Sequence, residues 1–160
     1  KMTNLGMRNA LSDNGVSFIE ADVGDRHVMD HLIKNKAILG GEGSGHIICL
    51  NKSMSGDGII AALQVLEIVA KSGQSLFDLK SAMTKYPQVL INIKTQNKID
   101  LNDSKLVEVI ETVESKLSAT GRVLVRKSGT EPLVRVMVEC SDGALATESA
   151  KQISAVIQSM

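Results

Sequence analysis

Val123-Leu124-Val125-Arg126-Lys127-Ser128-Gly129-Thr130-Glu131-Pro132-Leu133-Val134-Arg135-Val136-Met137-Val138 sets the architecture of the chain's second half. Its two apolar runs are too close together for a crossover helix, so the spacing predicts an antiparallel hairpin, with strands over Arg122–Arg126 and Leu133–Glu139. The connecting loop, Arg126 to Pro132, has the makeup of an anion cradle. Arg126 stands on one side and Arg135 just past the other, and guanidinium forks match phosphate oxygens two at a time. Ser128 and Thr130 offer hydroxyl donors. Gly129 has no Cβ to keep a ligand from the backbone, and successive N–H groups in such a turn form a concave nest. Ser, Gly and Pro alone would describe an ordinary tight turn. Turn chemistry does not call for flanking arginines, so the loop is read as a phosphate-binding hairpin.

Working outward, Val89–Lys94 reads as a strand. Asp103 to Ser118 reads as a helix with Leu106, Val109, Ile110, Val113 and Leu117 on one face. A last helix, Ala144 to Met160, should bury Ala146, Ala150, Ile153 and Ile157. The second half is therefore expected to be a small α+β domain of β-α-β-β-α order, over 88–160, with its helices on one sheet face. Thr84-Lys85-Tyr86-Pro87 is the expected junction, because Pro87 disfavours helix at Tyr86. Before it, over 1–84, helix-like and strand-like segments alternate. Asn4–Asn14 reads as a helix, Val16–Val23 as a strand and the residues after Gly24 as a helix with Val28, Met29, Leu32 and Ile33 on its apolar face. Ile47–Leu50 reads as a strand, Ile59–Ser72 as a helix with Leu63, Leu66, Val69 and Ala70 as its core stripe, and Ser75–Met83 as a short helix. That order predicts a parallel, layered α/β domain. Three strands are few for such a sheet, so the domain is expected to be incomplete at its N-terminus, with part of it upstream of Lys1.

Composition narrows the function classes. The chain of 160 residues is 43% hydrophobic, enough for a real core, and only 2% aromatic. Its 18 basic and 18 acidic side chains balance, against the basic excess of proteins that bind nucleic acid or anionic membranes. Any anion site must be local. No apolar run approaches the length of a membrane span. Cys49 and Cys140 lie in apolar, strand-like runs and predict free buried thiols in a reducing cytoplasm.

Gly40-Gly41-Glu42-Gly43-Ser44-Gly45-His46 is a second candidate site. Its glycines free the backbone while Glu42, Ser44 and His46 offer polar groups. Glu42 can accept from sugar hydroxyls or pair with an amine, Ser44 can donate and accept, and His46 can donate or shuttle a proton. The glycine spacing matches neither a dinucleotide fingerprint nor a P-loop. His27 and His31 have metal-sharing spacing but lack a third ligand, which favours an ordinary exposed helical pair. Asp57 reads as a helix N-cap, and Arg26 as pointing to a ligand cleft.

Together the Arg126–Pro132 loop with Arg135, the Glu42–His46 loop, Thr3-Asn4-Leu5-Gly6, Gly24-Asp25-Arg26, Ser55-Gly56-Asp57-Gly58 and Pro87-Gln88-Val89-Leu90 resemble the C-terminal part of the phosphoglucosamine mutases. These form a bacterial branch of the α-D-phosphohexomutase superfamily. The resemblance covers nearly the whole chain and implies most of the third and all of the fourth of four domains around a cleft. It implies sugar contacts from Glu42 and Ser44 with His46 close by, and a grip on the non-transferred phosphate by Arg126, Ser128, Gly129 and Thr130, with Arg135 supporting. The implied reaction interconverts glucosamine 6-phosphate and glucosamine 1-phosphate through glucosamine 1,6-bisphosphate, for amino-sugar nucleotide and cell-wall synthesis. Relatives with other sugar preferences, phosphomannomutase or phosphoglucomutase, and a stand-alone phosphosugar-binding module are the alternatives. The phosphoserine loop and the aspartate-rich loop for Mg2+ are missing, so no catalytic residue and no metal ligand is expected in these residues, and the chain alone should be inactive without the N-terminal domains. Gly43 departs from the side chain common in close relatives.

Overall fold

The computed structural model describes residues 1–95, 99–129 and 131–160. Within it the chain forms two compact units, Lys1–Thr84 and Lys85–Met160.

The second unit has the expected β-α-β-β-α order: β3 (Gln88–Lys94), α5 (Ser104–Leu117), β4 (Gly121–Lys127), β5 (Leu133–Cys140) and α6 (Gly143–Gln158). β5 lies in the middle of the sheet, antiparallel to β3 on one edge and to β4 on the other. Side chains alternate across a strand. Val134, Val136, Val138 and Cys140 therefore share one face, and they form the core with Leu106, Val113, Leu117, Ala146, Ala150 and Ile153 from the two helices. The helical stripes read from the sequence are the buried ones, although Ile110 is only partly covered. Each helix starts at an aspartate. Asp103 accepts from the Lys105 amide at 2.9 Å, and Asp142 from Ala144 at 2.8 Å, filling donors that a helix start leaves open.

The opposite face of the same sheet carries charge. Glu139 is completely buried, and its Oε2 accepts from Arg122 Nε at 2.8 Å, directly across the β4–β5 ladder. That ion pair offsets part of the cost of holding a carboxylate so far from water.

The first unit contains α1 (Leu5–Asp13), α2 (Asp25–Asn35), β1 (Leu39–Gly41), β2 (Ile47–Cys49), α3 (Gly58–Ser72) and α4 (Leu76–Leu79). The order is two helices, two strands, two helices, so the expected alternation is not seen, and the pairing differs as well. β1 and β2 form a two-stranded antiparallel hairpin, and no parallel pair occurs among the described residues. β1 is an addition to the sequence reading. Its Gly40 lies so close to α2 that a Cβ there would come within 2.7 Å of Val28 Cγ1. Val16–Val23, expected as a strand, is irregular. The expected core stripe of α3 is also corrected: only Ala61 of that helix is buried, while Leu63 and Leu66 are 55% and 61% exposed. Ile33 of α2 is likewise exposed, leaving Val28, Leu32 and Ile48 as the small core. On α3, Lys71 donates to Glu67 one turn earlier, and that bond with its charge holds the Glu67 carboxyl below its ordinary value. Cys49 and Cys140 are free and buried. No single helix among the described residues is long and apolar enough to cross a membrane.

Replacing Arg122 by Met should remove the ion pair of the buried Glu139 carboxylate and cost about 3 kcal/mol of stability in the second unit. Urea unfolding of the chain, followed on that unit, measures the loss, and an unshifted midpoint would refute it.

Candidate functional site

The first cluster forms where the β1–β2 turn meets the start of α2. The turn closes on itself: the Glu42 amide donates to His46 O at 2.9 Å and the Gly45 amide to Glu42 O at 3.0 Å. Gly45 sits at φ 100°, a torsion L side chains rarely adopt. The Glu42 side chain reaches across to the entry of α2, where its Oε1 accepts from the Gly24 amide at 2.7 Å. Gly24, at φ 121°, is the N-cap of that helix and has no side chain to cap it. Glu42 thus places negative charge at the positive end of α2, and the same bond fixes its direction.

Ser44 and His46 follow on the same loop. Ser44 Oγ is 3.3 Å from His46 Nδ1, and that nitrogen is 3.6 Å from Asp25 Oδ1. Asp25 Oδ1 is shielded from solvent and has no hydrogen-bond partner among the described residues. Gly56 lies alongside; a Cβ there would stand 3.4 Å from Asp25 Oδ2 and 3.9 Å from the His46 ring. The three predicted residues, Glu42, Ser44 and His46, are therefore brought together, and Asp25 and Gly56 join them. Both came from segments whose place beside this loop no local spacing could reveal. The site holds hydrogen-bond acceptors of fixed direction, a hydroxyl and an imidazole, which suits a polyhydroxyl or amine ligand. Arg26, expected toward a cleft, is exposed.

Asp25, Glu42 and His46 offer ligand atoms within 4.8 Å of one another, the one such cluster of metal-ligating side chains among the described residues. The set does not fit magnesium, which demands a near-octahedral oxygen shell. One of its three donors is an imidazole, and one Glu42 oxygen is already committed to Gly24. His27 and His31 join no such cluster, though His31 is half-buried rather than exposed, with Nδ1 unbonded.

The second cluster lies at the β4–β5 turn. Arg126 and Arg135 face each other directly across the ladder, so both guanidinium groups leave the same sheet face. Like charges directly opposite are unfavourable in a sheet, unless an anion lies between them. Arg135 Nη2 is 3.5 Å from Glu131 Oε2, and its Nε is buried without a hydrogen-bond partner among the described residues. The turn is tied by the Ser128 amide donating to Leu133 O at 2.9 Å and the Leu133 amide to Glu131 O at 2.8 Å. Ser128 is half-buried at the turn. Gly129 is not in the left-handed region, and a Cβ there would meet nothing within 4 Å. Among the described residues neither torsion nor packing requires glycine there, which leaves its backbone open. Thr130 lies outside the described residues.

Comparison with known proteins agrees with this layout. The model of phosphoglucomutase/phosphomannomutase alpha/beta/alpha domain III matches residues 1–86. The model of the phosphoglucomutase/phosphomannomutase C-terminal domain matches residues 90–156. Among curated relatives, a phosphoglucosamine mutase of Ruthia magnifica is 58% identical over 99% of this chain and 36% of its own length. One of Methylobacillus flagellatus is 51% identical over 98% and 35%. The chain thus spans about a third of the length of these relatives. The fold resembles a solved N-acetylglucosamine-phosphate mutase in its product complex, with TM-score 0.81 and 20% identity over 98% of this chain and 37% of that one. It also resembles the Aspergillus fumigatus N-acetylphosphoglucosamine mutase solved with GlcNAc-6P and magnesium, at TM-score 0.77 and 17% identity over 98% and 37%. Two consecutive domain models that together take in almost every residue leave one assignment: the chain belongs to the phosphoglucomutase/phosphomannomutase family of phosphohexomutases.

Proposed function

We propose that these 160 residues are the substrate-recognition part of a phosphoglucosamine mutase, an isomerase that interconverts glucosamine 6-phosphate and glucosamine 1-phosphate. The observation that carries this reading is the pair Arg126 and Arg135, set opposite each other on one sheet face beside an open turn. Two guanidinium groups held at that spacing lose their mutual repulsion when a phosphate dianion enters between them. Ser128 and the Gly129 backbone complete the cradle, with Thr130 as a further hydroxyl. Residues 88–160 then hold the phosphate that is not being transferred, and residues 1–84 hold the sugar. Glu42, its direction set by Gly24, accepts from ring hydroxyls or the amine; Ser44 and His46 supply donors beside it. The named activity of the relatives supports the glucosamine branch.

In this reading the substrate turns over as glucosamine 1,6-bisphosphate between two half-reactions. Contacts made by arginine and backbone N–H suit that reorientation, because they recognise phosphate and not the carbon that bears it. The phosphoryl donor and its magnesium belong to other domains of a longer, cytoplasmic protein, and residues that only position a phosphosugar cannot transfer its phosphoryl group. The 160-residue chain by itself is inactive. A different sugar preference within the family is the second reading, favoured by the description of the matching models.

In the full-length enzyme, Arg126→Ala should weaken phosphosugar binding at least tenfold, about 1.4 kcal/mol. Unchanged binding and steady-state constants would sink the phosphate assignment. Glu42→Ala should cost about 1.5–3 kcal/mol of substrate affinity, the worth of hydrogen bonds to a charged acceptor, with inorganic phosphate binding left intact. Turnover of glucosamine, glucose and mannose phosphates measured side by side distinguishes the two readings of sugar preference.

A further inference from the structure

Asp25 opens α2 beside the β1–β2 turn, and its two carboxylate oxygens have different surroundings. Oδ1 is shielded from solvent and lies 3.6 Å from His46 Nδ1. The side chain as a whole is still 45% exposed, so Oδ2 is the oxygen open to a ligand. Gly56 keeps the approach to it clear, since a Cβ there would stand 3.4 Å from Oδ2. Glu42 is divided in the same way: Oε1 takes the Gly24 amide at 2.7 Å, and Oε2 is left uncommitted. Neither carboxylate is paired with a lysine or an arginine among the described residues. Two acidic groups and an imidazole thus converge, with a ligand atom of each within 4.8 Å of the others.

We infer that Asp25 is a specificity-determining residue, which together with Glu42 receives the ammonium group of an amino sugar between the two carboxylates. The inference rests on the reading that Glu42, Ser44 and His46 hold the sugar. Charge-assisted N–H···O bonds run about 2.7–2.9 Å, so one nitrogen bridges oxygens up to about 5.6 Å apart. The 4.8 Å spacing of the cluster falls inside that reach. An ammonium donates three hydrogen bonds, and Ser44 Oγ on the same loop is a third acceptor. A hydroxyl at the same carbon has one proton to donate and no charge, so it answers one carboxylate and leaves the other unpaired. A site built around polar groups discriminates best against the analogue that leaves them unpaired. Asp25 is therefore placed to separate glucosamine phosphates from glucose phosphates, a task that Glu42 alone, able to accept from either, does not perform.

Calorimetric titration of the full-length protein with glucosamine 6-phosphate and with glucose 6-phosphate, which differ only at the amine, tests the inference. The wild type should bind the amino sugar more tightly. Asp25→Asn keeps the shape and removes the charge, and it should narrow the ratio of the two dissociation constants about tenfold, or about 1.4 kcal/mol. Asp25→Glu, which keeps the charge, should recover part of that preference. A merely structural role at the start of α2 would weaken both sugars alike. An unchanged ratio in Asp25→Asn, or a wild type without preference, would overturn the inference. Glu42→Ala shows which level has failed. If it weakens both sugars while Asp25→Asn leaves the ratio alone, the sugar site stands and the amine assignment falls. If it affects neither sugar, the sugar site falls and the amine assignment with it.

Discussion

Hydrogen bonding of β5 on both of its edges is the constraint on which the second unit rests. The strand is paired by β3 over Leu133 to Glu139 on one side and by β4 over Val134 to Cys140 on the other. With register set twice, a one-residue slip would turn Val134, Val136 and Val138 away from the helices and bring Glu139 into the apolar core. That cost locks the opposite face as well. The same register that buries the valines places Glu139 opposite Arg122 and Arg135 opposite Arg126. Two charged pairings, one attractive and one repulsive, are thus held in place by apolar packing on the other side of the sheet.

Fold legibility differed between the halves for a physical reason. In the second unit each element meets its partner within the same 76 residues, so periodicity on α5 and α6 translates directly into burial. In the first unit the periodicity on α3 and over residues 16–23 is equally clear, yet most of those apolar residues are exposed. Burial does not follow from amphipathic spacing alone. β1 was missed for the opposite reason. Leu39-Gly40-Gly41 has no strand propensity, and the strand exists because Gly40 allows close approach to Val28 and Leu32 and because β2 supplies its hydrogen bonds.

The candidate sites divide in the same way. Glu42, Ser44 and His46 could be singled out because they stand among four glycines within seven residues. Asp25, which faces His46, is marked only by its place in the Gly24-Asp25-Arg26 segment; its spacing alone looks like that of any acidic residue in the first turn of a helix. Arg126 and Arg135 were visible as flanking charges, but nine positions of separation do not say that they are opposed. Only the ladder register does.

That opposition explains the company the arginines keep. Glu131 stands 3.5 Å from Arg135 and is itself 58% exposed, so the pair is of the surface kind that contributes little. It offsets part of the repulsion between the guanidinium groups without satisfying the buried Arg135 Nε. Under the proposed phosphate assignment, Glu131 is the counter-ion that a better acceptor would displace at small cost. A phosphate dianion offers more oxygens and more charge, and it can engage both arginines together, which the single Glu131 carboxylate does not do.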